Sequence, residues 1–139
     1  MELLQFITNR IFLSVLIAWL SAFLLKLALN SRQKGFSIKL IYATGGMPSS
    51  HSAFVTALSL AVGLSEGFAS PLFIVALLLS VVFIHDAINI RRRTDLKLQE
   101  ICKGVKIKLT DVTPLGHSIA EAASGMAIGI AASLAVFLL

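Results

Sequence analysis

Residues 71 to 90 read PLFIVALLLSVVFIHDAINI. From Pro71 to Ile84 nothing but Ser80 interrupts the apolar run, and the whole stretch reaches the ~17 to 25 residues that an α-helix needs to cross a bilayer. A soluble core helix of that length would carry a polar face, so this stretch assigns the chain to a membrane. Three further segments are apolar, Ile11 to Leu29, about Ser50 to Leu64, and Ile119 to Leu139, and all but the one from Ser50 also reach that length. Unpaired backbone groups in lipid cost several kcal/mol each, and helices pair their own. The expected fold is therefore all-α: a polytopic membrane protein with four transmembrane helices, occupying residues 1–139 as a single domain.

Composition agrees. Of 139 residues, 57% are hydrophobic and 14% charged, against about 25% charged in a soluble domain. Yet 12 Lys and Arg face 7 Asp and Glu, for a formal charge of +5. Arg32, Lys34 and Lys39 lie between the first and second apolar segments. Arg91, Arg92, Arg93, Lys97, Lys103, Lys106 and Lys108 lie between the third and fourth, while the turn from Ser65 to Ser70 carries only Glu66. The positive-inside rule puts the two basic loops on the cytoplasmic side of a multi-pass cell-membrane protein, with both termini outside. Cations recruited for an anionic ligand would also bias this count. Leu98, Ile101, Cys102, Val105 and Leu109 recur near helical spacing within the second basic loop, as an amphipathic headgroup-level stretch would. The basic residues there suit anionic lipid headgroups; nucleic acid is not an expected partner, for want of a fold or an aromatic platform. The first segment contains Lys26 and has no convincing cleavage site, so it reads as a retained helix. Cys102 is the sole cysteine, which excludes an internal disulfide.

Ionisable groups inside membrane segments cost ~2.5 to 3.5 kcal/mol on insertion scales and point to function. Here they are Lys26, His51, His85, Asp86, His117 and Glu121, and antiparallel neighbours bring all of them to one membrane face. Gly45-Gly46-Met47-Pro48-Ser49-Ser50-His51-Ser52-Ala53 is the richest stretch. Glycines admit close backbone approach, Pro48 suits a first helical turn, and a helix N-terminus among serines can hold a phosphate. A glycine turn with a serine cap would explain Gly45 to Ser49 but not His51. Glu121 follows His117 by four residues, so carboxylate and imidazole share a helix face and the carboxylate fixes one ring nitrogen. Alone, such a pair is equally a boundary histidine beside a snorkelling glutamate. Together, two histidines, one braced, beside a phosphate cradle and several cations form a kit for phosphoryl transfer through a phosphohistidine, one imidazole as nucleophile and the other as general acid. No metal or cofactor is required. Gly125 and Gly129 form a small-x-x-x-small pair that lets the last helix approach a neighbour, most simply in the same chain, although a homo-oligomer is possible.

These residues resemble the type 2 phosphatidic acid phosphatase and vanadium haloperoxidase superfamily, in particular its small divergent PAP2 branch, over about Lys26 to Gly129. The run from Gly45 to Ala53 is the most specific part. Asp86-Ala87-Ile88-Asn89-Ile90-Arg91-Arg92 is similar to the branch's Asp-Ala-x-x-x-Arg-Arg, and Gly116-His117-Ser118-Ile119-Ala120-Glu121 with Gly125 to its Gly-His-Thr/Ser-x-x-Glu segment. The resemblance implies a PAP2-like helical core, His117 as nucleophile, His51 as general acid, Glu121 orienting His117, and Ser49 and Ser50 as phosphate ligands. It implies Lys26 as the first-motif lysine. The chain departs from the superfamily in three places. Arg32 follows Lys26 after five residues rather than six and without proline; Asp111 stands where the third motif has arginine; Glu121 replaces aspartate. On this pattern Arg91 or Arg92 supplies the missing arginine. The implied activity is a phosphatase acting on a lipid or isoprenoid phosphomonoester or pyrophosphate. The alternatives are a non-enzymatic membrane protein binding an ion or anionic lipid, such as a small transporter or assembly factor, and a metal transporter using His51, His85, Asp86 and His117, whose spacing matches no common metal motif.

Overall fold

The computed structural model describes residues 2–34, 46–105 and 116–139, with side chains from residue 5 on and without those of residues 32–34. Gly45, Lys39, Lys106, Lys108, Leu109, Asp111 and the side chains of Arg32 and Lys34 lie outside it. The described residues form six helices: α1 (Glu2–Ile7), α2 (Arg10–Lys34), α3 (Ser50–Glu66), α4 (Pro71–His85), α5 (Arg91–Gly104) and α6 (Ile119–Leu138), with a π-helical turn at Asp86–Ile90 joining α4 to α5.

The helix starts follow local chemistry. The Asn9 carboxamide oxygen accepts from Ile11 N at 2.8 Å and Phe12 N at 3.2 Å, and Ser70 caps α4 by accepting from Phe73 N at 3.2 Å, with Pro71 in the first turn. Ser49 is the cap of α3, so Pro48 precedes the cap instead of occupying the first turn as the sequence suggested.

Among the described residues, three stretches, Arg10–Ser31, Pro71–Gly104 and Ile119–Leu138, are long and apolar enough to cross a membrane. α3 has 17 residues, about 26 Å at 1.5 Å per residue, and is the innermost helix, packed against α2, α4 and α6. The four expected membrane helices are thus present among the described residues as three stretches of spanning length around a shorter inner helix. The third span also differs from its reading. The helix continues past Ile90 through Gly104, so the expected loop after Ile90 begins as helix, with Asp95 and Cys102 buried on one face.

The packing is that of a membrane bundle: small residues inside, large ones outside. Ala18 and Ala22 of α2, Ala53 and Ala57 of α3, and Ala132 of α6 form the core cluster, while Leu72, Val75, Leu78 and Val82 of α4 are exposed. Lipid is as apolar as leucine, so helices gain by close backbone approach more than by hiding bulk. Two hydroxyls add interhelical bonds. Ser133 Oγ donates to Ala57 O at 3.1 Å, and Ser80 Oγ lies 2.7 Å from Val55 O and 2.8 Å from Ala76 O, sharing its proton.

The α3–α6 contact is a parallel one in a fixed register. A Cβ on Gly125 would collide with the Ser49 carbonyl, one on Gly129 would lie 2.5 Å from Ala53 O, and Ser133 reaches Ala57 O one turn later. Gly125 and Gly129 thus serve packing within this chain. The register sets the N-termini of α3 and α6 side by side, which decides where His51 and His117 meet.

Candidate functional site

The site is built where the N-termini of α3 and α6 meet the C-terminal end of α2 and the π turn. Ser49 N donates to Glu121 O at 3.0 Å, tying the α3 cap to the first turn of α6. The Ser49 hydroxyl accepts from Ser52 N at 3.3 Å and Ser52 Oγ at 3.0 Å, and both side chains are buried. The hydroxyl expected on phosphate is thus employed as a helix cap. Ser50, half-buried, lines the apolar cavity beside His51.

At the start of α6 a capping box does two jobs. Ser118 Oγ accepts from Glu121 N at 3.2 Å, and Glu121 Oε2 accepts from Ser118 N at 3.0 Å. The same Oε2 lies 3.2 Å from His117 Nδ1. One carboxylate oxygen therefore fixes both the helix start and the imidazole, favouring a proton on Nδ1 and a lone pair on Nε2. The His117 side chain is only 2% exposed, against an exposed His51, and the two ring centroids are 6.4 Å apart with planes inclined at 53°. Burial holds His117 below the usual imidazole pKa, and Lys26 and Arg91 push the same way, against the hydrogen bond and charge of Glu121.

Lys26 and Arg91 supply the positive charge. Lys26 is 4% exposed, lies within electrostatic range of Glu121 and both histidines, and has its Cε 3.6 Å from where a Cβ on Gly46 would stand. The Asn30 carboxamide nitrogen is equally near that point. Arg91 acts on both histidines and donates from Nε to Asp86 Oδ2 at 2.6 Å. That is an i, i+5 pair, the spacing that the π turn brings into line. Such turns are frequent at functional positions. Arg92 is exposed, and its backbone meets the site at Gly116. His85 lies one residue before the turn and is exposed.

Three contacts fasten His117 to the α4–α5 helix, and none is visible in a motif. His117 N donates to Ala87 O at 3.0 Å, and Gly116 N donates to Asp95 Oδ2 at 2.6 Å. A Cβ on Gly116 would collide with the backbone of Arg92. Asp95 is buried, and only its place at i+4 from Arg91, on the inner face of a helix expected to be loop, could have marked it.

The arrangement brings Lys26, His51, Arg91, His117 and Glu121 into one cluster at one end of the bundle. It pairs a braced, neutral imidazole with an accessible one and two cations, a set able to bind an anion and move a proton.

Comparison with known proteins agrees in family. Residues 7–132 match the Divergent PAP2 family. The "Uncharacterized membrane protein YuiD" of Bacillus subtilis (strain 168) is 42% identical over 92 residues, covering 64% of this chain and 57% of that protein. The chain thus spans little more than half the length of that curated relative. No solved structure matches. The match over residues 7–132, carrying both histidine segments and the Asp86–Arg91 turn, makes this chain a member of the divergent PAP2 family.

Proposed function

We propose that the protein is a membrane phosphatase that hydrolyses a lipid or isoprenoid phosphomonoester or pyrophosphate through a phosphohistidine. The observation that carries this reading is the single Glu121 oxygen shared by His117 Nδ1 and Ser118 N, which leaves His117 Nε2 as the nucleophilic atom. Nε2 attacks phosphorus; the P–N bond forms as the bond to the leaving oxygen breaks, and His51 gives that oxygen its proton. A water then attacks the phosphohistidine, His51 takes a proton from it, and inorganic phosphate leaves as the P–N bond breaks. Lys26 and Arg91 offset charge on the equatorial oxygens. With the site at the same end as the Arg91–Arg93 cluster, the positive-inside rule assigns it to the cytoplasmic face.

The experiment is phosphate release by the detergent-solubilised protein over phosphatidic acid, phosphatidylglycerophosphate, isoprenyl phosphates and pyrophosphates, with and without EDTA. His117→Ala should abolish turnover, and normal turnover in that variant would end the phosphohistidine mechanism. The near-complete burial of His117 favours a second reading, a non-enzymatic protein that binds anionic lipid. A protein whose melting temperature rises with phosphate, but which hydrolyses no ester in the panel, would support it.

A further inference from the structure

His51 does not open onto water alone. A cavity of about 260 Å³ begins at Ser50 and His51 and is otherwise walled by apolar side chains, among them Trp19 of α2, Phe54 of α3, and Leu79 and Phe83 of α4. A second cavity, of about 420 Å³, shares Phe54 and Leu58 with the first and continues along Val15 and Phe12 of α2 to Asn9 and Phe6. The two adjoin at Phe54 and Leu58 and together trace a trough along the α2–α3 seam. From Trp19 to Asn9 it runs about 15 Å at the helical rise of 1.5 Å per residue. That is roughly half of a ~30 Å hydrocarbon core, the depth of one leaflet. Trp19 and Phe54 are each 42% exposed, so the trough is open at their level.

Its two ends differ in chemistry. At one end stand His51 and, around it, His117, Lys26 and Arg91; everything beyond Ser50 is apolar until Asn9. A cationic end joined to a leaflet-deep apolar lane is complementary to an amphiphile with an anionic head and a hydrocarbon chain.

We infer that one hydrocarbon chain of a phosphate-bearing lipid lies in the trough between α2 and α3, passing Trp19 and Phe54, with its phosphate at His51. The inference rests on the phosphatase reading for what happens to the phosphate, but not for the binding. Each methylene seated in the lane gains packing contacts with its walls, so binding strengthens with chain length until the lane is full. Phosphates with no chain, or a short one, occupy only the polar end.

Trp19 is the sole tryptophan of the chain, and its fluorescence reports the lane directly. The probe is a chain-brominated alkyl phosphate, added to the full chain in unbrominated detergent; the control is the uncharged alcohol with the same brominated chain. The measurement uses His117→Ala, so that hydrolysis does not remove the probe, and phosphate release is followed separately on the unaltered protein. Quenching by the phosphate should saturate, whereas quenching by the alcohol should rise without saturation, as partition into the micelle does. Leu58→Phe and Leu79→Phe, which add bulk at half-buried and exposed positions of the lane, should weaken half-saturation by a leaflet-length chain by about tenfold and leave a short-chain phosphate unaffected. A melting temperature equal to that of the parent shows that these variants are folded.

Saturable, chain-length-dependent quenching in a protein that hydrolyses nothing would support the lane and end the phosphatase reading. Phosphate release from long-chain esters together with equal quenching by phosphate and alcohol would overturn the lane and leave the phosphatase reading standing. Indifference of both folded variants to chain length would overturn it as well.

Discussion

Ser49 donates its backbone N–H to the backbone carbonyl of Glu121 at 3.0 Å, so the cap of α3 and the first turn of α6 are a single hydrogen-bonded unit. The two histidine segments are 66 residues apart in sequence, and this bond, with Gly125 against the Ser49 carbonyl one turn on, holds them together. Disturbing the α3–α6 register therefore disturbs the site.

Gly125→Val tests that register. The added side chain meets the Ser49 carbonyl, a backbone atom that cannot swing away, and overpacking of this kind costs typically 1–3 kcal/mol. The variant should melt well below the parent in detergent. Gly104→Ala, where a Cβ meets nothing within 4 Å, should leave the melting temperature near that of the parent.

The shared Glu121 oxygen allows stability and chemistry to be separated. Ser118→Ala removes the cap hydroxyl and should cost about 1 kcal/mol while leaving the His117–Glu121 contact and turnover in place. Glu121→Gln keeps a side chain able to accept from Ser118 N but withdraws the charge beside His117 Nδ1. Its turnover should fall by about 10²-fold with a smaller change in melting temperature. Equal losses in both measurements for both variants would show that the carboxylate does no more than cap.

Asp95 positions the loop that carries His117. Its Oδ2 accepts from Gly116 N at 2.6 Å within a buried setting, so Asp95→Ala should destabilise by about 1–3 kcal/mol. It should also lower kcat for any substrate the protein turns over. Asp95→Asn retains an acceptor oxygen and should recover most of both losses. Failure of the asparagine to recover either would remove Asp95 from this role.

The sign of the pH dependence follows from His117. Burial, aided by Lys26 and Arg91 and opposed by Glu121, sets its folded pKa below the ordinary 6.5 of imidazole. The unfolded chain thus takes up a proton before the folded one does. The contribution of His117 to stability is complete above the unfolded value and is lost as the pH falls through the folded one. His51 faces His117 across the site and shares this environment. Melting temperature should therefore drop on acidification below about pH 6.5, and His117→Gln should flatten that drop. A parent protein whose melting temperature does not fall between neutral and mildly acid pH would contradict the burial of a neutral imidazole.

Much was legible in the sequence because it rests on short-range or bulk physics. Apolar runs such as Pro71 to Ile84 require helices in lipid, whatever their neighbours. The spacing of His117 and Glu121 marked their pairing, although His117 precedes the Ser118 cap and meets Glu121 through the capping box rather than on a shared helix face, and the Gly125–Gly129 pair marked a close helix contact. Alternation of helix direction already brought Lys26, His51, Asp86, His117 and Glu121 to one end.

Other features depended on neighbours distant in sequence. The local sequence offered Ser49 both as a helix cap and as a phosphate ligand, and only the structure shows its hydroxyl employed by Ser52. The continuation of the third span through Gly104 needed the π turn, in which Arg91 returns to Asp86. A run of three arginines instead suggests a loop. Asp95 carries no motif at all; its meaning arises only when Gly116, 21 residues on, folds back against the same helix. The trough along the α2–α3 seam is likewise invisible in sequence, because Trp19, Phe54 and Leu79 are each ordinary lipid-facing residues until packing sets them around one space. Composition and periodicity determined the solvent, the helices and the end at which the chemistry gathers. Tertiary packing decided which polar groups are consumed in holding that end together and which, His51 foremost, remain open.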